Sequence, residues 1–303
     1  MLTRDFNAFL DFARHCAPDF GPATANAAFL VAPDGFGRAI ESASDNHYMA
    51  DAGAFDAVRA STQHRELQRA LSDVLPTICF SGDPAMPDAV FPNNVFGTAA
   101  GRLVVGRMRH AVRQREAGRS DIRQFFGDTL GYAEVDLSHQ EHPCELTGAL
   151  VIDRARGLGF CGLSERCDQA GAALMHEAFG LRATLMFDLA PSEYHTNVVL
   201  AILAGRAALI CPDGFADPAA VNAIANCYAP HAIRLDPAER AAYAGNAIAL
   251  SSDSVWMSAT AAAGLSEASR KALAEAGFGV HSVELDAIEA AGGSLRCCVG
   301  EIY

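Results

Sequence analysis

Thr147-Gly148-Ala149-Leu150-Val151-Ile152-Asp153, a turn at Arg156-Gly157, and Leu158-Gly159-Phe160-Cys161-Gly162 make two short apolar runs joined by a tight connection. Such a pair predicts a β-hairpin. After it, residues 168–179 carry helical spacing and 183–187 read as a strand. The same order returns twice downstream. It runs from 196–200, with a turn at Ala204-Gly205-Arg206, through helix 218–227 to strand 232–235, and again from 245–250, with a turn at Ser252-Asp253, through helix 266–276 to strand 280–285. Upstream, Val95-Phe96-Gly97-Thr98 and Leu103-Val104-Val105-Gly106 open the same pattern, which closes with a helical segment and strand 133–137.

The period is about fifty residues, in the range of solenoids and propellers. The final unit, 294–302, stops after one strand, and the N-terminal segment holds the missing parts: strand 26–33 ending at Pro33-Asp34-Gly35, helix 52–75 and strand 77–80. The expectation is an α/β fold, a five-bladed α/β propeller of ββαβ units with its first strand clasped against its last. All of 1–303 would form one domain, with 1–25 as a helical N-terminal extension. The entrances of successive hairpins, at Asn93-Asn94, Glu145, His195, Asn246 and Cys297, would then face a common axis.

Composition narrows the function. A net charge of −13 without a block of Lys or Arg disfavours nucleic acid and anionic membranes as partners. No apolar run approaches the roughly 20 residues of a bilayer span, and residues 1–16 have amphipathic helical spacing rather than that of a signal peptide. Nine cysteines without a regular framework fit reduced thiols, so a soluble cytoplasmic protein is expected.

Near the C-terminus, Gly292-Gly293 leads into Ser294-Leu295-Arg296-Cys297-Cys298-Val299-Gly300. On a strand, one of the two thiols faces a cavity and its neighbour faces away. The bland reading is a pair of small core residues. A thiol nucleophile needs a base and an orienting acid, and His195 and Glu145 occupy equivalent places in adjacent units. Arg166, in Ser164-Glu165-Arg166, is either a surface charge or an anion clamp.

Taken together, Phe91-Pro92-Asn93-Asn94, Glu145-Leu146-Thr147-Gly148, Ser164-Glu165-Arg166, His195-Thr196-Asn197, Gly245-Asn246 and the Gly292–Cys298 stretch resemble the pentein, or guanidino-group-modifying, superfamily. Within it, the wording is most similar to the arginine-deiminase-related, citrulline-hydrolase-like branch. The resemblance implies that Cys297 is the nucleophile, with Cys298 a non-essential neighbour, His195 the general acid/base and Glu145 its carboxylate partner. It further implies that Arg166 holds the substrate α-carboxylate and that Asn93 contacts the same end. Asn94 and Asn246, at hairpin entrances, are further substrate-binding candidates. Two places where arginine deiminases carry aspartates are here Ala99 and Asn197. A buried guanidinium without anionic partners is costly, so a neutral ureido group, met by Asn197, is the expected substrate end, while Asp88 is a candidate to restore one charge.

The expected chemistry is hydrolysis of the ureido or guanidino group of an amino acid, citrulline or an arginine derivative, through a covalent S-linked intermediate. It requires no metal or organic cofactor, and a reactive Cys297 of depressed pKa would accompany it. Alternatives are an amidinotransferase or arginine deiminase on the same site, and a non-catalytic amino-acid-binding protein on the same scaffold. The expected partner is a small amino-acid substrate, with a homodimer as a further candidate. Residues 36–48, rich in Gly, Ser, Asp and Asn, read as a mobile loop over the cleft.

Overall fold

The computed structural model describes residues 1–37, 40–49 and 55–303. Strands are β1 (Leu2–Thr3), β2 (Ala27–Val31), β3 (Thr77–Phe80), β4 (Phe96–Ala99), β5 (Arg102–Val105) and β6 (Ala133–Asp136). They continue as β7 (Leu150–Asp153), β8 (Leu158–Leu163), β9 (Ala183–Asp188), β10 (Leu200–Leu203), β11 (Ala207–Ile210) and β12 (Ala232–Arg234). The last four are β13 (Ile248–Ala249), β14 (Ser254–Ser258), β15 (Gly279–Val283) and β16 (Gly300–Ile302).

Among the described residues these strands form five small sheets, β4-β5-β6, β7-β8-β9 with β1 added at its edge, β10-β11-β12, β13-β14-β15 and β16-β2-β3. In each, an antiparallel pair is followed by a parallel strand. A parallel neighbour requires a crossover, which helices Gln169–Ala178, Pro218–Cys227 and Glu267–Glu275 supply in three units and Ala57–Ser72 in the N-terminal one. Each of these four helices is started by a side-chain cap, from Asp168, Asp217, Ser266 and Asp56 respectively. Part of the expected helix 52–75 and of the expected loop 36–48 lies outside the described residues.

The first long strand and the last strand pair with each other. Gly300 pairs with Phe29 and Ile302 with Ala27, while Thr98 Oγ1 donates to the Glu301 carbonyl at 2.7 Å. The N-terminal helix, Phe6–Arg14, buries Phe9, Leu10 and Ala13, and the Phe9 ring meets that of Phe160 edge-on at 5.5 Å. It therefore packs on the second and third units. Among the described residues no helix is long and apolar enough to cross a membrane, and all nine cysteines are free.

One local expectation is corrected. The runs that open the hairpins are not strands throughout: Leu146–Ala149, Thr196–Val199 and Leu295–Cys298 are single helical turns that hand over to β7, β10 and β16, and Pro92–Asn94 is a 3-10 turn ahead of β4. Glu145 and His195 cap the first two turns, and Cys297 lies on the third.

Phe29 tests the clasp between the ends. It is fully buried, its ring lies 5.4 Å from that of Phe126 and 6.1 Å from that of Phe80, and it covers Gly300. Replacing it with Ala is expected to cost about 3–5 kcal/mol, read as a lowered urea midpoint. A loss below about 1 kcal/mol would mean that the ends are held by something other than this packing.

Candidate active site

The turns that open the units are stitched to one another. Thr147 Oγ1 donates to the Asn93 carbonyl at 3.0 Å and Thr196 Oγ1 to the Ala149 carbonyl at 2.6 Å. Asn246 Nδ2 donates to the Asn197 carbonyl at 2.9 Å, and Arg296 N donates to Asn246 Oδ1 at 3.0 Å. These bonds satisfy backbone groups that a short buried turn would otherwise leave without partners. They also bring Glu145, His195 and Cys297 together from positions far apart in the chain.

Glu145 is fully buried. It accepts from His195 Nε2 at 2.7 Å, from the Arg109 amide at 3.0 Å and from Arg166 Nη1 at 3.2 Å. Burial pushes its pKa up, but Arg166, His195 and Arg113 more than offset this and hold the carboxyl well below its usual range. His195 has the opposite balance: burial lowers its pKa, with Arg166 and Arg113 assisting, although Glu145 pulls it up. Its Nδ1 is buried without a hydrogen-bond partner. Gly148 makes room for the ring, since a Cβ there would sit 2.8 Å from His195 Cε1 and 2.5 Å from Asn94 Oδ1.

Cys297 shares a cleft with His195, Asp88, Asn94, Arg113 and Arg166. Its thiol accepts from Asn246 Nδ2 at 3.3 Å. The depressed thiol pKa expected from sequence is not what the surroundings produce: burial pushes Cys297 up, and the Ser294 backbone, Asn246 and Arg296 only moderate the rise. Cys298 lies wholly in the core and is raised further. The cleft is a cavity of about 20 Å³, bounded on one side by Ser42, Asn46 and Met49, so a described part of the expected 36–48 loop does lie against it. That volume suits a water-sized occupant.

The structure separates the remaining candidates. Asp88 lines the cleft, accepts from Ser42 Oγ at 2.6 Å, and has no ion-pair partner among the described residues. Burial raises its pKa, with Arg113 pulling the other way. Asn94 lines the cleft with its Oδ1 unpartnered. Asn93 is buried beside it, its side-chain nitrogen and oxygen both unpartnered, but it does not line the cleft.

Three further candidates lie off the cleft or have protein partners of their own. Asn197 lines a different cavity, with Thr147, Arg154 and Tyr303, and its side-chain nitrogen and oxygen are buried there without hydrogen-bond partners. The Asn246 amide is engaged by Cys297, the Asn197 carbonyl and the Arg296 amide, so it positions the thiol and is not open to a substrate. Arg166 is held by protein carboxylates, with Asp45 bonded to Nε at 2.8 Å and to Nη2 at 2.5 Å, and Glu145 to Nη1; the spacing of Ser164-Glu165-Arg166 carried no sign of Asp45, which is 121 residues away.

Arg113 was missed as well. It lines the cleft, and its guanidinium pairs with Glu116 at 2.9 and 2.8 Å and donates to the Phe91 carbonyl at 3.0 Å. Burial works against its charge, and Glu116 restores it. The i, i+3 spacing of the pair on one helical stretch was the available signal.

The family model described as N,N dimethylarginine dimethylhydrolase, eukaryotic, matches residues 32–303. Among solved structures, the N-terminal domain of ArgZ, an arginine dihydrolase from the ornithine-ammonia cycle in Cyanobacteria, superposes with a TM-score of 0.79 at 21% identity, covering 91% of this chain and 97% of that one. Unliganded AgrE matches with a TM-score of 0.79 at 22% identity over 91% of this chain and 39% of its own. A dimethylarginine dimethylaminohydrolase adduct with 4-chloro-2-hydroxymethylpyridine gives 0.70 at 18% identity, covering 92% of this chain and all of the other. No curated protein sequence matches. The chain belongs to the N,N-dimethylarginine dimethylhydrolase family, carbon–nitrogen hydrolases of the pentein superfamily.

Proposed function

We propose that the protein hydrolyses the guanidino group of arginine or of an N-substituted arginine, with Cys297 as nucleophile, His195 as general acid/base and Glu145 as its orienting partner. The observation that carries this reading is Asp88, a carboxylate in the same cleft as Cys297 and His195 that lacks an ion-pair partner among the described residues. A guanidinium would supply a direct ion-pair partner and offset the burial that raises the Asp88 pKa. The preference for a neutral ureido group rested on Ala99 and Asn197, which stand where arginine deiminases carry aspartates, and neither residue lines the cleft. ArgZ, described as an arginine dihydrolase, supports the same substrate class, as does a form of its domain covalently bonded to a reaction intermediate. The five sheets are read as blades of one propeller domain.

In the proposed reaction the Cys297 proton passes to His195 as the sulfur attacks the guanidinium carbon. His195 then gives that proton to the departing amine, which is ammonia from arginine or dimethylamine from dimethylarginine. The carbon–nitrogen bond breaks as a thiouronium intermediate is left on Cys297. Water, deprotonated by His195, attacks the same carbon, and the carbon–sulfur bond breaks to release citrulline and restore the thiol. Glu145 accepts from Nε2 and thereby leaves Nδ1 to handle the proton.

Incubation with arginine and with dimethylarginine, followed by assay of citrulline, ammonia and dimethylamine, tests the reading. Cys297→Ala is expected to lower turnover by more than about 10³-fold without loss of fold, and undiminished activity in that variant would sink the assignment. Asp88→Asn is expected to raise KM for arginine at least about tenfold and to affect citrulline less.

The pH profile follows from the two shifts. His195, lowered from its usual 6.5, must be neutral to accept the thiol proton, so kcat/KM falls as pH drops through a value below 6.5. Cys297, raised by burial, loses the proton needed by the leaving amine only above the ordinary thiol range, which places the alkaline limb above about 9. An alkaline limb near neutrality would contradict a buried, protonated thiol.

A further inference from the structure

The Arg166 guanidinium is 2% exposed and every nitrogen is engaged: Nε and Nη2 with Asp45, Nη2 also with the Ser42 carbonyl at 3.1 Å, and Nη1 with Glu145. The two bonds to Asp45 are the parallel fork that a carboxylate makes with arginine. Asp45 belongs to the same stretch as Ser42, Asn46 and Met49, which closes one side of the Cys297 cleft. Its carboxylate also reaches His110 Nε2 at 3.1 Å and Arg109 Nε at 3.7 Å. Arg109 stands at the outer rim with a side chain 40% exposed, paired to Glu165 at 2.6 Å.

We infer that Asp45 is a specificity-determining residue that holds the Arg166 fork until the substrate's own carboxylate takes its place, whereupon Asp45 moves to Arg109 and His110. This rests on the amino-acid substrate proposed above. The exchange keeps one carboxylate on a buried guanidinium in both states, which avoids the penalty of an unpaired buried cation. A ligand that lacks a carboxylate has nothing to offer Arg166 in return, so it must leave Asp45 where it is. The site thereby prefers α-amino acids to the corresponding amines. A price is attached, because the fraction of protein with the fork released scales the apparent affinity of every carboxylate ligand.

The test compares L-arginine with agmatine, which is arginine without its carboxylate, by calorimetry in the Cys297→Ala background, where turnover is removed. Asp45→Asn weakens the internal competitor, so L-arginine is expected to bind about tenfold more tightly, agmatine no more tightly, and Asp45→Glu is expected to return L-arginine to the starting affinity. Arg109→Ala removes the place to which Asp45 retreats and is expected to weaken L-arginine several-fold while leaving agmatine unchanged; it serves as the decisive variant if Asp45→Asn does not fold. Unchanged or weaker L-arginine binding in Asp45→Asn, or equal effects of Arg109→Ala on both ligands, would overturn the exchange while arginine turnover by the wild-type protein left the proposed function standing. Failure of L-arginine to bind any form would overturn both.

Discussion

Side-chain to backbone hydrogen bonds between consecutive units are the constraint on which the site depends. Thr147, Thr196 and Asn246 each reach across to a carbonyl of the preceding unit, and Asn246 also receives the Arg296 amide from the following one. Each bond contributes only about 1 kcal/mol net, whereas a buried carbonyl or amide left without a partner costs about 1–3 kcal/mol. The stitching is therefore worth more as specification than as stability. A helical turn that rotated or slipped would lose its cross-unit bond and carry its capping residue, Glu145 or His195, out of line.

Charge is arranged in the same economical way. Glu145 is completely buried, yet three donors from separate parts of the chain keep it ionised. Arg166 and Arg113 are likewise buried and each faces a carboxylate. Buried ion pairs of this type add little to stability compared with apolar packing, but removal of one partner is expensive. The network therefore fixes where the His195 ring stands more than it holds the fold together. Asp88 is the exception: among the described residues its carboxylate has no direct ion pair, and burial raises its pKa although Arg113 and Arg166 pull the other way, which leaves it available to a positively charged ligand.

Much of this architecture was legible in the chain. The repeated apolar runs and their turns located β4 to β9, β12, β13 and β15 to within a few residues, because alternation and turn chemistry are local properties. The helical turns at Leu146–Ala149, Thr196–Val199 and Leu295–Cys298 were not, since four apolar residues have too little length to display a period. The placement of Asn197 was lost for the same reason: it lies on the Thr196–Val199 turn, whereas His195 ahead of it is extended. Asp45 was hidden in a polar stretch whose only signal was turn chemistry, and its partner is fixed by tertiary structure alone. Asn246 was noticed for its position, but its bonds to protein on both amide atoms were not legible, because such an asparagine cannot be told from sequence apart from one that bonds a ligand.

The raised pKa of Cys297 bears on how such a site would choose its substrate. A thiol kept protonated by burial is a poor nucleophile, which protects it from electrophiles that bring no charge of their own. Arg296 and Arg113 only moderate the rise, and thiolate formation becomes more favourable when a substrate cation sits beside the sulfur itself, since an opposite charge within about 4–6 Å favours the ionised form. On the proposed reading a guanidinium would therefore do two things at once: compensate Asp88 and stabilise the sulfur anion that attacks it. A neutral ureido group would do neither, and the Cys297 proton would have to move against the full cost of burial. Selection for a cationic substrate would then arise in the chemical step as well as in binding, from the depth at which the chain buries one sulfur atom.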